Sequence, residues 1–441
     1  EFEMSRRGEI DDNEMEEDEA SNERIGEDEI LKVIPLEEFL ESNGRAAFSD
    51  DDEEGEADEA EQGSSSEYLP DEAAITLHCH EKDVFVVRTA GQWLVTGGED
   101  DKALLFDLAK SSSDPVLSIS HADSVTCIDL NHNESLLATG DMSGKIILTD
   151  LKTLTTKVEI EECSDLEWLF FHSTSDILFA GDKEGLVWMW LIGSSGIAQS
   201  KVYSAGASTR STCGQLLSDG KRLISGYDDG TVRLWALRDQ SFVSVKLSSE
   251  VNTVSLHPSQ PITAVGMTNG DVHLLSLGTA EEPAMKSLSV MHALPRPPKE
   301  NGESEETREE EEESIDSCVE SLCFSAPSKG SSNPLLAVGR NDGTTAVYSI
   351  DSSSPRFSHT TDAALAISRV VWCTVVGRQV LVTASVDSRV RIFDGRDGSL
   401  LKVVCCGGDE IFDVTRAQTD TTVLRLVAAC GRGAVRALEV E

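Results

Sequence analysis

Carboxylates dominate the residues of this chain that could do chemistry. They recur in short turns: Glu99-Asp100-Asp101, Asp141, Asp182 with Glu184, Asp228-Asp229, Asp342 and Asp387. Paired carboxyl groups can divide acid and base roles only where a pocket drives their pKa values apart. Turns between glycines and short apolar runs give no sign of such a pocket. His78-Cys79-His80 sets three metal-ligand side chains in a row. Successive strand residues face opposite sides, however, and no second ligand group follows at metal-site spacing. No nucleophile elbow, P-loop or dinucleotide fingerprint occurs. The expectation is a chain without catalytic residues, cofactor or metal, whose acids brace turns or bind a partner.

The elements that position these acids repeat. A Gly or Ala, a polar turn and an alternating apolar strand recur, most fully in Ser225-Gly226-Tyr227-Asp228-Asp229-Gly230-Thr231-Val232-Arg233-Leu234-Trp235. Marking the strand ends gives Phe106, Thr149, Trp190, Trp235, Leu275, Tyr348, Phe393 and Leu438, at intervals of 43, 41, 45, 40, 73, 45 and 45 residues. The pattern resembles the WD40 repeat, whose period is roughly 40–45 residues, and the long interval fits one repeat plus an insertion of roughly 30. The expected fold is therefore all-β: a propeller over residues 71–441 with eight blades. The chain stops three residues past Leu438, before an eighth outer strand, and Ala74-Ile75-Thr76-Leu77-His78 is placed to supply it. Closure removes the open sheet edges. Met285–Val290 reads as an outer strand and Val319–Phe324 as the next inner strand, so the acidic insertion 294–316 falls between them.

In WD40 blades a turn Asp, a loop His, a strand Ser or Thr and a Trp form a bracing network. That resemblance gives His80, Thr96 and Asp100 to blade one, with Phe106 in the Trp place, and His359, Thr383 and Asp387 to blade seven. Blade two has His121, but Ser143 and Thr149 where Asp and Trp belong. Asp229 and Asp342 are read as turn residues of the same kind. Bracing does not require Glu99, Asp101, Asp141, Asp165, Glu167, Asp182, Glu184 or Asp228, nor Glu161 and Glu162. All belong to turns and loops at one end of the strands, whereas opposite loops such as Ser218-Asp219-Gly220-Lys221 are near neutral. The first eight of these are the expected docking surface for a basic protein segment; an ordinary solvated acidic rim is the alternative.

Charge is unevenly spread. The 441 residues carry net −43, of which residues 1–70 hold −22 and residues 299–316 hold −8. Such a balance repels nucleic acid and anionic lipid and favours basic partners. Residues 1–70 read as a disordered acidic tail, interrupted by an apolar stretch at residues 30–40 that could dock on a partner. Ten scattered cysteines without a CxxC pair suit a reducing compartment. No leader sequence and no apolar run near 18 residues occur, so a soluble protein without integral membrane association is expected. The first residue is Glu, and Met4 is the expected start.

More specific wording lies in Val95-Thr96-Gly97-Gly98-Glu99-Asp100-Asp101-Lys102-Ala103, Gly140-Asp141-Met142-Ser143-Gly144, Asp165-Leu166-Glu167-Trp168, Trp188-Met189-Trp190 and Val319-Glu320-Ser321-Leu322. These resemble the angio-associated migratory cell protein family from about residue 75 to 401. Blade eight matches weakly, with Cys405-Cys406-Gly407-Gly408 in place of the usual Gly-His lead-in. The resemblance implies a non-enzymatic scaffold. Animal members are associated with cell migration, angiogenesis and small GTPase signalling. The fungal counterpart is an acidic-faced chaperone that holds the basic N-terminus of a large-subunit ribosomal protein. The expected partner is thus a basic segment of a ribosomal protein, with signalling proteins as the alternative. The expected location is cytoplasmic, with the nucleus and the plasma-membrane periphery as alternatives.

Overall fold

The computed structural model describes residues 69–110, 113–206, 208–294, 317–327, 333–417 and 423–440. Within them, 32 strands make eight four-stranded antiparallel sheets, and no helix occurs among the described residues. The expected tail, the apolar stretch at 30–40 and the insertion lie, apart from Leu69, Pro70 and Leu294, outside these residues.

Seven sheets are meanders of consecutive strands, as in blade one: Val84–Ala90, Trp93–Gly98, Lys102–Asp107 and Leu117–Ser120. Every marker residue lies on a third strand and is buried. Second and third strands are covered on both faces by neighbouring blades, so they read as nearly unbroken apolar runs. Eight apolar clusters form, each drawing its residues from two adjacent blades. The repeat glycine belongs to this packing. A Cβ on Gly97 would meet Val125 of the next blade at 2.7 Å, and one on Gly140 would meet Leu166 of the next blade at 2.3 Å.

The eighth sheet crosses the whole chain. Its strands are Ile411–Arg416, Leu424–Cys430, Ala434–Val440 and, as expected, Ile75–His78, with Ile75 opposite Ala437 and His78 opposite Ala434. The region before the strand also docks: Asp71 bridges to Cys406, and its carboxylate accepts Arg436 Nε at 3.0 Å. The inner strands then touch one another around a closed ring. Their free edges are covered from the side. Asp129 accepts the Phe171 amide (2.7 Å), Gln215 that of Leu256 (2.9 Å), Ser321 that of Val370 (3.1 Å) and Asp413 that of Val87 (3.3 Å).

Deleting residues 1–78 removes four strand pairings and the half-buried Ile75 and Leu77. That should cost on the order of 3 kcal/mol or more and lower Tm by several degrees. Deleting 1–68 should leave Tm nearly unchanged. Calorimetry of the two truncations checks the closure, and equal Tm values would refute it.

Candidate functional site

In an antiparallel meander, the turn between second and third strands and the loop into each inner strand lie at the same strand ends. That end of the propeller carries the acidic turns. Blade one holds the expected brace. His80 Nδ1 lies 2.7 Å from Asp100 and Nε2 lies 2.8 Å from the Thr96 hydroxyl, while Asp100 also accepts the Glu81 amide.

Blade two corrects the sequence reading. Asp141, placed above among the docking residues, is fully buried and lies 3.1 Å from His121 Nδ1, with Thr139 at 2.9 Å from Nε2. It also accepts the Ala122 and Lys145 amides and the Ser143 hydroxyl at 2.6 Å. Ser143 therefore supports the acid rather than replacing it. The carboxylate enters from the end of the second strand, Leu136–Asp141, instead of from the turn, a backbone shift that spacing does not reveal.

Asp182 is corrected likewise. It is buried, accepts Trp188 Nε1 at 2.7 Å and the Leu186 amide, and burial raises its carboxyl pKa. In blade seven Asp387 takes the Arg391 guanidinium at 2.5 and 3.1 Å rather than His359. His359 packs on the Phe393 ring, and the Thr383 hydroxyl has no partner. His359 lies on the outer strand Phe357–Thr360 of blade six, opposite Thr345, whereas Arg391 stands on the third strand beside the Asp387 turn. Asp229 and Asp342 cap their turns through the amides of Thr231 and Thr344, and Lys246 approaches Asp229 at 3.0 Å.

The remaining acids reach the surface. Asp101 is exposed with φ 60°, a left-handed position that Asp tolerates. Glu99 lies 3.6 Å from Lys82 and Glu184 accepts the Ser208 hydroxyl. Asp165 pairs with Lys183 at 2.8 Å, which lowers its pKa. Glu167 and Asp228 flank Arg210 at 3.8 and 4.0 Å. Burial, then the nearby Asp165 and Asp228, raise the Glu167 pKa against the opposing pull of Arg210. Lys183, Glu184, Ser208, Thr209, Arg210, Asp228 and Asp229 line an open cavity of about 620 Å³ between blades three and four. Glu161 is exposed near Lys145, whereas Glu162 accepts Trp190 Nε1 at 2.8 Å. Sequence reading missed Arg210, whose loop carries no repeat signature, and the tie between Glu162 and the strand-ending Trp190.

His80 of the His78-Cys79-His80 run is spent in the brace, and burial lifts the Cys79 thiol to about 12. Among the described residues no cluster of three metal-ligating side chains occurs, and no helix is long and apolar enough to cross a membrane.

Seven meanders and an eighth sheet completed by the N-terminal strand, with His–Asp–Thr braces in blades one and two, define a WD40-repeat propeller. A family model described as WD domain, G-beta repeat matches residues 113–150 and 204–236, and one described as Nucleolar protein 10-like, N-terminal domain matches 239–418. Sqt1 of Saccharomyces cerevisiae superposes with a TM-score of 0.70 at 18% identity, over 84% of this chain and 100% of that one. Sqt1 of Chaetomium thermophilum, crystallised bound to the N-terminus of the ribosomal protein L10, gives 0.68 at 18% identity over the same shares. The angio-associated migratory cell protein of Canis lupus familiaris is 33% identical over 399 residues, 85% of this chain and 86% of its own length. The chain belongs to the angio-associated migratory cell protein family.

Replacing Asp141 by Ala strands His121 and several donors in the interior and should cost about 3 kcal/mol, against about 1 kcal/mol or less for Ser143→Ala. Urea unfolding of both variants measures the difference, and equal losses would return the bracing role to Ser143. His273 is a second test. Both its ring nitrogens are buried without partners, and burial lowers its pKa. The unfolded chain then takes up the proton first, so stability is full above about pH 6.5 and falls as pH drops toward the lowered folded value. His273→Leu should flatten the fall in Tm between pH 7.5 and 5.5, and an unchanged slope would show that other groups set it.

Proposed function

We propose that this protein is a non-enzymatic scaffold whose turn-bearing face holds a basic protein segment, and that it acts as a chaperone for a large-subunit ribosomal protein. The reading rests on one observation, the difference between the two ends of the strands. One end carries Asp83, Glu99, Asp101, Asp123, Glu161, Asp165, Glu184, Asp228, Glu250, Asp362 and Glu410 against Lys82, Lys145, Lys183, Arg210 and Arg432. At the other end Asp114, Glu134, Asp176, Asp219, Asp239, Glu281, Glu282, Asp351 and Asp397 are nearly balanced by Lys110, Lys152, Lys221, Arg238, Arg356, Arg378 and Arg396. Sqt1, which shares the fold, was crystallised with a ribosomal-protein N-terminus. That supports a peptide-like client and a site of action in the cytoplasm or nucleus. A signalling scaffold in cell migration is the competing reading.

Exposed ion pairs each contribute only about 0–1 kcal/mol, so such a face acts as a summed field with a few desolvated anchors. Affinity for a Lys/Arg-rich peptide should fall at least tenfold between 50 and 200 mM salt. Changing Glu99, Asp101, Glu184 and Asp228 together to amides should weaken it further while Tm holds. Titration by fluorescence anisotropy reads both effects, and salt-independent binding would eliminate the electrostatic reading. Affinity capture from cells separates a ribosomal client from signalling partners.

A further inference from the structure

The inner strands start at the acidic face, and their first residues form the rim of the central channel. In seven blades the second residue of this strand is bulged out of the pairing with the next strand. Polar occupants here clamp the ring. Thr212 donates to the Val251 carbonyl at 2.6 Å and Asn252 to that of Val319 at 2.9 Å. In blade seven Ser368, just before the strand, donates to the Ile411 carbonyl at 2.7 Å.

Four blades place something else at this position. Phe85 and Phe412, from blades one and eight, meet edge to face with centroids 5.6 Å apart, and both remain half-buried. Glu167 and Glu320, from blades three and six, put carboxylates on the same rim, each two blades from the nearer phenylalanine. Glu320 is exposed and Glu167 partly so. Neither phenylalanine takes part in the carbonyl clamp, while Glu320 also accepts Asn252 Nδ2 at 3.5 Å and Glu167 lies 3.8 Å from Arg210. Both rings stay partly exposed at the rim, and an aromatic face attracts a cation laid over it.

Resting on the proposed basic client, we infer that the channel mouth is an arginine-selective subsite, in which one guanidinium of the client stacks on the Phe85–Phe412 pair while Glu167 and Glu320 supply the counter-charge. The guanidinium is planar and weakly hydrated, so it stacks on a ring and still forks toward a carboxylate. The ammonium of lysine is compact and strongly hydrated and keeps only the charge attraction. The rim therefore separates two client chemistries that the acidic turns would treat alike.

The test uses the full chain and two labelled peptides of equal charge, one with four arginines spaced by alanines and one with four lysines. Wild type should bind the arginine peptide about fivefold tighter. Phe412→Leu, alone or with Phe85→Leu, should bring the ratio toward one while lysine-peptide binding holds. Phe412→Trp should keep or raise the ratio, which guards against a leucine variant that fails to fold. Glu167→Gln with Glu320→Gln should weaken both peptides. Equal binding of the two peptides by wild type, or a preference untouched by the phenylalanine changes, would overturn the subsite while leaving the basic-segment reading in place. Failure of both peptides to bind would overturn both.

Discussion

Everything in this propeller depends on pairing Ile75–His78 with Ala434–Val440. A radial array of sheets buries each blade only against its neighbours, so a gap would open two apolar faces and two strand edges at once. Closing it with the N-terminal strand ties the first described residues to the last. Asp71 reinforces the junction through Arg436, which also holds Asp409 at 2.6 Å. The inner edges present the same problem at the channel, and side chains such as Asp129, Gln215 and Asp413 solve it by accepting the next blade's amides.

The corner beneath each loop is filled by different chemistry from blade to blade. Blades one and two use a histidine, a carboxylate and a threonine hydroxyl; blade three pairs Asp182 with the Trp188 indole. Blade four lays the Arg233 guanidinium 3.8 Å over the Tyr227 ring, and blade seven joins Asp387 to Arg391. Each arrangement gives a buried polar group a partner, which matters more than which partner it is. The satisfaction is incomplete: His273, two Arg340 nitrogens, Arg233 Nη1 and the Thr383 hydroxyl are buried without partners. Unpaired donors of this kind each cost about 1–3 kcal/mol.

Bracing and the proposed binding draw on the same residue type. Carboxylates crowd the turn-bearing end in part because the fold requires some of them, which leaves only the others for the proposed client. Burial divides the two groups: Asp141 and Asp182 are enclosed, while Asp101, Glu184 and Asp228 remain open to solvent. The open ones sit among Lys82, Lys183 and Arg210, so the face is a patterned field rather than a uniform anion.

Periodicity carried the architecture in the sequence itself. Eight strand-ending residues in phase required eight blades, the missing outer strand required a donor, and a short apolar run upstream was the available one. Glycine at the end of the second strand was visible as a signature, and its cause is the next blade's side chain packed over it, as Val125 packs over Gly97. Only the tertiary structure decided which acid braces which blade. Asp141 and Asp100 leave the backbone at different points yet reach equivalent histidines, and Arg391 takes Asp387 from His359. The channel rim was equally hidden, because Phe85 and Phe412 stand 327 positions apart and meet only when the ring closes. Local spacing fixes which elements form, whereas contacts between distant elements set the environment that buries one acid as a brace and leaves another open to solvent.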